Sequence, residues 1–355
     1  MGVPGAGRGS VLLCGYYGEH NLGDDALLEA LLQQLPSGWA PLVTARDQAL
    51  VRQRFGVATT DRRSLRGVLA ALGRCEALML GGGSLLQDST SFNSLLYYAA
   101  LILAARAQGK PVGLWGQGLG PLRRRRSRAL VRLLLPLVTA ISWRDPASAS
   151  LAARLGGPAA ARLVGSDPVW TIPASSWQGR GGPIVVCWRP TPLLQGEAWR
   201  PYLQALEHLA TSQEREVHWL PFHQDQDRGL LADLTAGGLV SEALRRRSRL
   251  VEAADPAAAQ AVFRGAGLVL AMRLHALILA ALAGAPLAAL SYDPKVAAAA
   301  GAIGCRCDDL GAAAPADLLS GWRQALDQPA DGERISELVA AAGVHRQVLD
   351  RVLSA

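Results

Sequence analysis

Short, mainly apolar runs alternate with longer helical patterns along the first half of the chain. Runs of strand length include Val11–Cys14, Ala77–Leu80 and Ala140–Trp143, and each is followed by glycine or a polar residue. Between them, apolar residues recur every three or four positions, as in Asp24–Leu35 and Asn93–Gln108, which is the spacing of an amphipathic helix. Strands separated by helices of about 10–15 residues are typical of βαβ units, so the pattern predicts an α/β fold with a parallel sheet.

The same alternation resumes in the second half after one interruption. Trp170–Pro183 is rich in Pro, Ser and Gly, which is typical of an interdomain linker. Beyond it, strands are expected at Ile184–Trp188 and Leu268–Met272, and the tail Ile335–Leu353 is expected to be helical. We therefore expect two Rossmann-like domains with a cleft between them, residues 1–172 and residues 173–355, the second ending in a helical tail. Ligands of such sheets bind at the carboxyl ends of the strands.

Composition narrows the class of protein. The 355 residues suit two domains at roughly 100–200 residues each. Hydrophobic residues make up 50% and charged residues only 18%, which excludes a disordered, fibrous or coiled-coil chain. The formal net charge of +7 suits an anionic ligand or an anionic membrane surface and is too small to indicate nucleic-acid binding. Only Lys110 and Lys295 are lysines, so the other 34 basic residues are arginines.

The five cysteines indicate neither a disulfide framework nor a zinc site, because their number is odd and no C-x-x-C pair occurs. Free thiols are typical of the reducing cytoplasm. The run Val11–Cys14 is too short for a secretory signal, and no apolar stretch reaches the ~18 residues of a membrane span. We therefore expect a cytoplasmic protein.

A glycine-rich turn follows the first strand. Gly15, Gly18 and Asn21 precede the helix that begins near Asp24. A turn of this kind lets the backbone approach an anionic ligand and directs helix N–H groups at it. The spacing is neither G-x-G-x-x-G nor a Walker A loop, and Asp24 also fits an ordinary helix N-cap.

Two further strand ends carry candidate residues. Gly82 and Gly83 follow one strand, where glycine implies either close packing or the close approach of a ligand. Arg144 follows another, and a guanidinium there can bind a phosphate or a carboxylate through two parallel hydrogen bonds. A local salt bridge between Arg144 and Asp145 is the alternative.

The densest group of candidates lies in the second half. Arg273, Leu274 and His275 follow an apolar strand, so that an anion-binding guanidinium and an imidazole that titrates near neutral pH occupy one strand end. Lys295 follows the next strand and is one of the two lysines. His275 could instead be a hydrogen-bonded core histidine.

His223 and Asp227 are four residues apart after another strand, so that on a helical turn they would share a face. Helix capping by Asp225 beside a solvated Asp227 is the competing interpretation.

Two arginine runs remain outside these strand ends, Arg123–Arg126 with Arg128 and Arg245–Arg247 with Arg249. They fit solvated helix faces, and they also fit contact with anionic lipid head groups, where each arginine contributes about 1 kcal/mol.

Five motifs in this order carry a family resemblance. They are Gly15-Tyr16-Tyr17-Gly18 with Asn21-Leu22-Gly23-Asp24-Asp25, Gly81-Gly82-Gly83, Trp143-Arg144-Asp145, Met272-Arg273-Leu274-His275 and Ser291-Tyr292-Asp293-Pro294-Lys295. The chain thereby resembles the polysaccharide pyruvyl transferase family, of the CsaB type, over roughly residues 10–300. The resemblance implies a fold like that of GT-B glycosyltransferases.

The reaction implied by the resemblance uses phosphoenolpyruvate as co-substrate, places a pyruvate ketal across two hydroxyls of a sugar and releases phosphate. The implied acceptor is a cell-wall or exopolysaccharide precursor, often lipid-diphosphate-linked. No other cofactor, no metal and no nucleic acid are expected. Peripheral contact with the inner face of the plasma membrane through the arginine runs stays open.

The resemblance also implies residue roles. Arg144, Arg273 and Lys295 would hold the donor, with Leu274 inside the Arg-Leu-His signature. His275 would protonate the methylene carbon or assist the loss of phosphate. The chemistry of the implied reaction also needs a base for the sugar, and our hypothesis for it is Asp24, or else Asp88. The remaining expected substrate-binding residues are Gly15, Gly18, Asn21, Gly82, Gly83 and His223.

Three other functions fit less well. A GT-B nucleotide-sugar glycosyltransferase would use Arg273 for the diphosphate, but no clear glutamate for the ribose follows it. A dinucleotide-dependent oxidoreductase needs the G-x-G-x-x-G spacing and an acidic ribose ligand, and Arg46 lies near the expected second strand end. A non-catalytic glycan-binding module would not need Arg144 and His275 together.

Overall fold

Two parallel β-sheets organise the residues that the computed structural model describes, which are 9–89, 91–156, 163–311 and 313–354. The strands are β1 (Gly9–Tyr17), β2 (Trp39–Ala45), β3 (Ala58–Asp61), β4 (Ala77–Leu80), β5 (Gly83–Leu86), β6 (Val112–Leu119), β7 (Ala140–Trp143), β8 (Leu163–Val164), β9 (Ile184–Cys187), β10 (Val217–Trp219), β11 (Ser248–Leu250), β12 (Leu268–Ala271), β13 (Leu287–Ser291) and β14 (Arg306–Asp309).

Helices connect successive strands, as parallel pairing requires. They are α1 (Leu22–Gln34), α2 (Gln48–Phe55), α3 (Leu65–Gly73), α4 (Phe92–Ala107), α5 (Arg125–Leu134), α6 (Pro146–Arg154), α7 (Arg200–Ser212), α8 (Gln224–Asp227), α9 (Leu230–Ala236), α10 (Glu242–Arg247), α11 (Pro256–Arg264), α12 (Leu274–Leu282), α13 (Pro294–Ile303), α14 (Leu318–Ala325), α15 (Gly332–Ala342) and α16 (Arg346–Leu353). Short 3-10 helices span Leu135–Leu137, Pro168–Thr171, Gly196–Trp199 and Gly343–His345.

The strand order of each sheet reverses once. The first sheet runs β3-β2-β1-β4-β6-β7-β8, with β5 paired to β6, and the second runs β11-β10-β9-β12-β13-β14. The order changes direction between β1 and β4 and between β9 and β12, and in doubly wound sheets the ligand binds at the carboxyl ends beside such a point. The expected fold class, α/β with two Rossmann-like units, is confirmed.

Burial explains why the central strands were visible in the sequence. Every residue of β4, β7, β9 and β12 is buried, which gives the continuous apolar runs of strands covered on both faces. Ala77–Leu80 and Ala140–Trp143 have the bounds expected from these runs. The edge strands β3 and β14 are polar and only partly buried, and the apolar pattern did not indicate them.

Asp-Pro pairs start three of the helices that follow strands. Asp145, Asp255 and Asp293 are the N-caps of α6, α11 and α13, where each side chain accepts a backbone N–H of the first turn and proline occupies the next position. These pairs satisfy helix donors and supply the φ angle that the first turn needs. They fix where a strand ends and therefore where the residues beside it lie.

The chain divides into two compact units. The first contains the chain up to Glu19, Asp24–Thr171 and the residues from Leu338 onward, and the second contains His20–Gly23 and Ile172–Glu337. The expected linker Trp170–Pro183 is folded: from Ile172 onward it belongs to the second unit, where the Ser175 N–H donates to the Leu282 carbonyl at 2.8 Å.

The C-terminal tail corrects the expected domain division. Sequence reasoning assigned all of residues 173–355 to the second domain, but the tail from Leu338 belongs to the first unit. Buried His345 fixes it there: its Nε2 lies 2.7 Å from the Ser166 carbonyl and its Nδ1 lies 2.8 Å from the Ser142 hydroxyl. α16 packs on β6 and β7, contacts that a local sequence pattern does not reveal.

Candidate active site

Two arginines flank the point where the second sheet reverses its strand order. Arg189 lies two residues after β9 and Arg273 two residues after β12, and the pairing of Ala271 with Cys187 sets these neighbouring strand ends side by side. Both guanidiniums donate to the same acceptor, Gln226 Oε1, at 3.2 Å. Two positive groups thus lie at the edge where this class of sheet binds ligands.

A buried carboxylate fixes the orientation of Arg273. Asp227 is fully buried, and its two oxygens accept hydrogen bonds from Nε of Arg273, at 3.0 Å, and from Nη2. The same carboxylate accepts the backbone N–H groups of Phe222, at 3.2 Å, and His223, at 2.9 Å. Within the described part of the chain, Nη1 of Arg273 has no hydrogen-bond partner, so one edge of the guanidinium is available to a ligand.

Arg189 is held differently. Its Nη1 donates to the Tyr292 hydroxyl at 3.2 Å, and its guanidinium lies 5.0 Å from the centre of the Tyr292 ring. Lys295, on the first turn of α13, is 43% exposed, and its Nζ lies 3.6 Å from Asp293. Because β12 and β13 are neighbours, these basic groups belong to one edge of one sheet.

His275 occupies the second position of α12, directly after Arg273 and Leu274, and is partly buried. The backbone of Gly23 packs on its ring, because a Cβ at Gly23 would overlap Nδ1 of His275. The segment that carries Gly23 is fixed within the same unit: Asn21 forms a bridge with His223, the Asn21 side chain accepts the Gly23 N–H at 3.0 Å, and the Leu22 N–H donates to the Phe222 carbonyl at 2.9 Å.

Asp227 contacts the backbone of His223. The expectation was that their side chains share a helical face, but it is the His223 N–H that Asp227 accepts, while the Asp227 N–H donates to the His223 carbonyl at 2.8 Å. His223 is the N-cap residue of α8 and is buried. The alternative of a solvated Asp227 is wrong, since this carboxylate is buried against Arg273.

In the first unit, Arg144 lies at the end of β7 and is only 7% exposed. Its Nη1 donates to Asp167 at 3.0 Å and its Nη2 to the Ser84 hydroxyl at 3.0 Å, whereas Asp145 is more distant at 3.8 Å. A Cβ at Gly118 would lie 2.8 Å from Nε of Arg144, so the glycine leaves room for the guanidinium. The local partner Asp145 expected as the alternative is therefore the weaker one.

Asp88 is a structural cap. Its two oxygens accept the backbone N–H groups of Arg123 and Arg124, both at 2.8 Å. Burial opposes ionisation, but these hydrogen bonds outweigh it and hold the pKa of Asp88 below its ordinary value. A carboxylate that is occupied and weakly basic is a poor general base.

The glycines of the first unit contact protein atoms. Gly18 has a φ of +68°, and its carbonyl accepts the Asp47 N–H at 3.1 Å. Gly15 packs on the ring of Tyr17, and Gly82 and Gly83 lie against Leu27. Packing accounts for these glycines, and their role in ligand binding stays a prediction.

Asp24 lies in the first turn of α1 and is partly buried. Burial, followed by the nearby Asp24 carboxylate, raises the pKa of the Tyr17 hydroxyl well above its ordinary value. Tyr17 is therefore a neutral phenol near Asp24. The catalytic role of Asp24 stays a prediction.

Sequence reasoning missed Arg189 and Gln226. Arg189 directly follows the expected strand Ile184–Trp188, so the strand-end rule that selected Arg144 and Arg273 would also have selected it. Gln226 is exposed and carries no sequence signal, because its importance comes from accepting two arginines that are distant along the chain.

Three further observations concern metal binding, thiol chemistry and membrane-spanning helices. Over the described ranges, no group of three His, Cys, Asp or Glu side chains is placed to hold a metal ion. The Cys187 thiol at the end of β9 is fully buried, and burial raises its pKa well above the ordinary value, so it stays protonated. No helix in the part of the chain that the structure describes is long and apolar enough to span a bilayer.

Solved structures share this fold with low sequence identity. UDP-GlcNAc 2-epimerase from Neisseria meningitidis bound to UDP-GlcNAc matches with a TM-score of 0.61 at 13% identity, over 98% of this chain and 100% of that one. A UDP-glucosyltransferase from Polygonum tinctorium matches with a TM-score of 0.60 at 12% identity, over 97% of this chain and 98% of that one. MurG from Acinetobacter baumannii matches with a TM-score of 0.53 at 14% identity, over 98% and 99%.

The chain thus has the α/β fold of the GT-B type that these structures share. The polysaccharide pyruvyl transferase family model matches residues 21–294, which include Asn21, the Arg-Leu-His signature and most of both units. The chain belongs to the polysaccharide pyruvyl transferase family, as its motifs indicated. No curated protein matches the chain at a significant level.

Proposed function

We propose that the protein transfers the enolpyruvyl group of phosphoenolpyruvate to a sugar diol, forms a pyruvate ketal and releases phosphate. One observation carries the proposal: in a chain of this family, Arg189 and Arg273 lie together at the reversal point of the second sheet, with His275 two residues further on. The acceptor would be a cell-wall or exopolysaccharide precursor, free or attached to a lipid diphosphate, and the reaction would take place in the cytoplasm.

The donor matches this edge in charge. Phosphoenolpyruvate carries a carboxylate and a phosphate, and planar guanidiniums bind both groups through paired hydrogen bonds. The free edge of Arg273, the neighbouring Arg189 and the exposed Lys295 supply up to three positive groups. The N-terminus of α12, which begins directly after Arg273, adds a favourable electrostatic potential for an anion.

The proposed chemistry needs one proton donor and one proton acceptor. One sugar hydroxyl gives its proton to a base as its oxygen bonds to C2 of the donor, while the methylene carbon takes a proton from an acid and becomes a methyl group. The second hydroxyl then gives up its proton as its oxygen bonds to the same carbon, and the C2–O bond to phosphate breaks, so that phosphate leaves with its electron pair. An imidazole positioned beside the reacting carbon can act as the proton donor, and we assign this step to His275, which Gly23 and the start of α12 hold in place.

The sequence-based roles of other residues stay predictions. Asp24 is kept as the base that activates the sugar, and Arg144 as a donor ligand in the first unit. Asp88 is dropped from the proposal because both of its oxygens are occupied by backbone N–H groups.

A nucleotide-sugar glycosyltransferase is the second candidate. The observation that favours it is the fold, which the chain shares with a UDP-glucosyltransferase and with an epimerase bound to UDP-GlcNAc. Such an enzyme would place the diphosphate of its donor on Arg273 and release no inorganic phosphate from phosphoenolpyruvate.

Two measurements distinguish the candidates. Isothermal titration with phosphoenolpyruvate and with UDP tests donor choice without knowledge of the acceptor, and we expect binding of phosphoenolpyruvate. Phosphate release from phosphoenolpyruvate with a panel of glycan diols, against UDP- and GDP-sugar controls, then tests turnover. Turnover of a sugar nucleotide with no phosphate release from any acceptor would establish the second candidate instead.

Variants locate the site. Arg189→Gln should weaken phosphoenolpyruvate binding about tenfold, since it removes one charge-assisted contact. Arg200→Gln is the matched control, because Arg200 is an exposed arginine of the same unit whose single ion pair among the described residues is with Glu197. Equal affinities of the two variants would remove Arg189 from the site.

A further inference from the structure

One region of the first unit concentrates positive charge. Between Asp88 and Asp145 the chain has nine basic residues and no acidic one. Four of the nine lie on α5, which buries its opposite face through Ser127, Val131 and Leu134. These four exposed arginines are Arg125, Arg126, Arg128 and Arg132. Within the described ranges, none of them forms an ion pair with an acidic side chain.

The other arginine run has a different environment. Arg245 and Arg246 on α10 both bind Glu242, with Nε–O distances of 2.7 Å and 2.9 Å. Arg249 on β11 lies 3.2 Å from Glu216. Glu242 and Glu216 thus offset part of the charge of this run, whereas the α5 arginines have no such carboxylates among the described residues, so the two runs that the sequence could not distinguish are physically distinct.

Three exposed leucines accompany the first run, whereas beside the second run Leu250 on β11, 41% exposed, follows Arg249. Leu133 on α5 is 70% exposed, and Leu96 and Leu103 on α4 are 43% and 49% exposed. Leu96 and Leu103 are seven residues apart and share one face of α4. The two helices are neighbours, since the Arg126 guanidinium lies 4.0 Å from the centre of the Phe92 ring, one turn before Leu96. We call these three leucines and four arginines the α4–α5 face.

We propose that the α4–α5 face docks the protein on a bilayer that contains anionic phospholipid. Exposed leucines among unpaired arginines are the composition of an interfacial surface, in which apolar side chains enter the head-group region and cations meet the lipid charge. Long arginine side chains keep their charge at the interface while their stems pack on apolar groups. A soluble polyanion would use the arginines and leave the leucines without a role, so the membrane is the favoured occupant.

The inference is independent of the proposed reaction, because vesicle binding is measured without donor or acceptor. Co-sedimentation should show binding to vesicles that contain phosphatidylglycerol and little binding to pure phosphatidylcholine, and added salt should weaken it. The triple variant Arg125→Gln, Arg126→Gln, Arg128→Gln should bind at least about tenfold more weakly. The control triple Arg245→Gln, Arg246→Gln, Arg249→Gln removes the same net charge and should bind as the wild type does.

A second pair of variants tests the apolar part. Leu133→Gln should weaken vesicle binding, whereas Leu193→Gln, which changes a leucine 45% exposed in the second unit, should not. Equal loss in both arginine triples would overturn the α4–α5 face in favour of net charge alone. Unchanged binding of Leu133→Gln, together with competition by soluble polyphosphate, would identify a polyanion site. A dimer that only the face variants disrupt would identify a second copy of this chain as the occupant.

Discussion

Replacing Asp227 with asparagine isolates the ion pair that positions Arg273. The side chain keeps its size, and an amide oxygen in the place of Oδ2 can still accept from Phe222, His223 and Nε of Arg273. The amide nitrogen then faces Nη2 of Arg273, so two donors meet where a charge-assisted hydrogen bond was. The variant therefore removes one bond and the negative charge while it preserves the other three contacts.

The magnitude follows from burial. A hydrogen bond to a charged group contributes about 1.5–3 kcal/mol, and removing one partner of a buried ion pair costs about 3–5 kcal/mol. The Arg273 side chain retains 13% exposure, so water relieves part of the loss. We expect the free energy of unfolding to fall by about 2–3 kcal/mol, which at a urea m-value of about 2–3 kcal/mol/M lowers the midpoint by about 1 M.

Urea unfolding followed by tryptophan fluorescence measures the change, and hydrogen exchange at β12 assigns it to the second unit. Asp293→Asn is the matched control, because its pair with Lys295 spans 3.6 Å between partly exposed groups and asparagine still caps α13. Such a pair contributes less than about 1 kcal/mol. A loss in Asp227→Asn no larger than in the control would refute the view that a buried carboxylate holds Arg273. Phosphoenolpyruvate affinity should fall only in Asp227→Asn.

Three further predictions follow from single contacts. Burial lowers the pKa of His345, so below about pH 6.5 the unfolded chain binds a proton that the folded chain does not. The free energy of unfolding should therefore be highest above about pH 6.5 and decline as the pH falls below it. In urea titrations, His345→Gln should lack this decline. Gly23→Ala should displace His275 and reduce kcat about 100-fold, whereas Gly301→Ala, which has open space around it, should leave kinetics unchanged. Arg144→Lys should lower the unfolding free energy by about 2 kcal/mol, since one ammonium cannot reproduce contacts to both Asp167 and Ser84; an unchanged urea midpoint would contradict this.

The parts of the fold that the sequence revealed are those in which local pattern and burial coincide. β4 and β12 are buried along their whole length, so an apolar run identifies them. β14 reads Arg-Cys-Asp-Asp and is the last strand of its sheet, where Arg306 pairs with Asp308 on the strand itself and with Asp317. Such a strand has no periodic pattern of hydrophobic residues by which the sequence could reveal it.

Some residues of the candidate site could likewise be identified from the sequence, and others could not. Arg273 and His275 follow an apolar strand and were visible as chemistry-bearing residues at a strand end. The role of Asp227 depends on a contact 46 residues away along the chain, and its own helix, α8, has only four residues. The role of Gly23 likewise depends on the His275 imidazole that packs on it. Tertiary contacts of this kind are absent from a local pattern.

The membership of the C-terminal tail in the first unit sets an order for the protein's biosynthesis. The ribosome synthesises Ile172–Glu337 before it reaches His345, so every residue of the second unit is made while the first still lacks His345. Domains usually complete in the order of translation. Here the N-terminal sheet waits for the last residues of the chain, and until then Ser142 and the Ser166 carbonyl lack their buried partner. The nascent chain must keep that surface from aggregating until His345 has been synthesised.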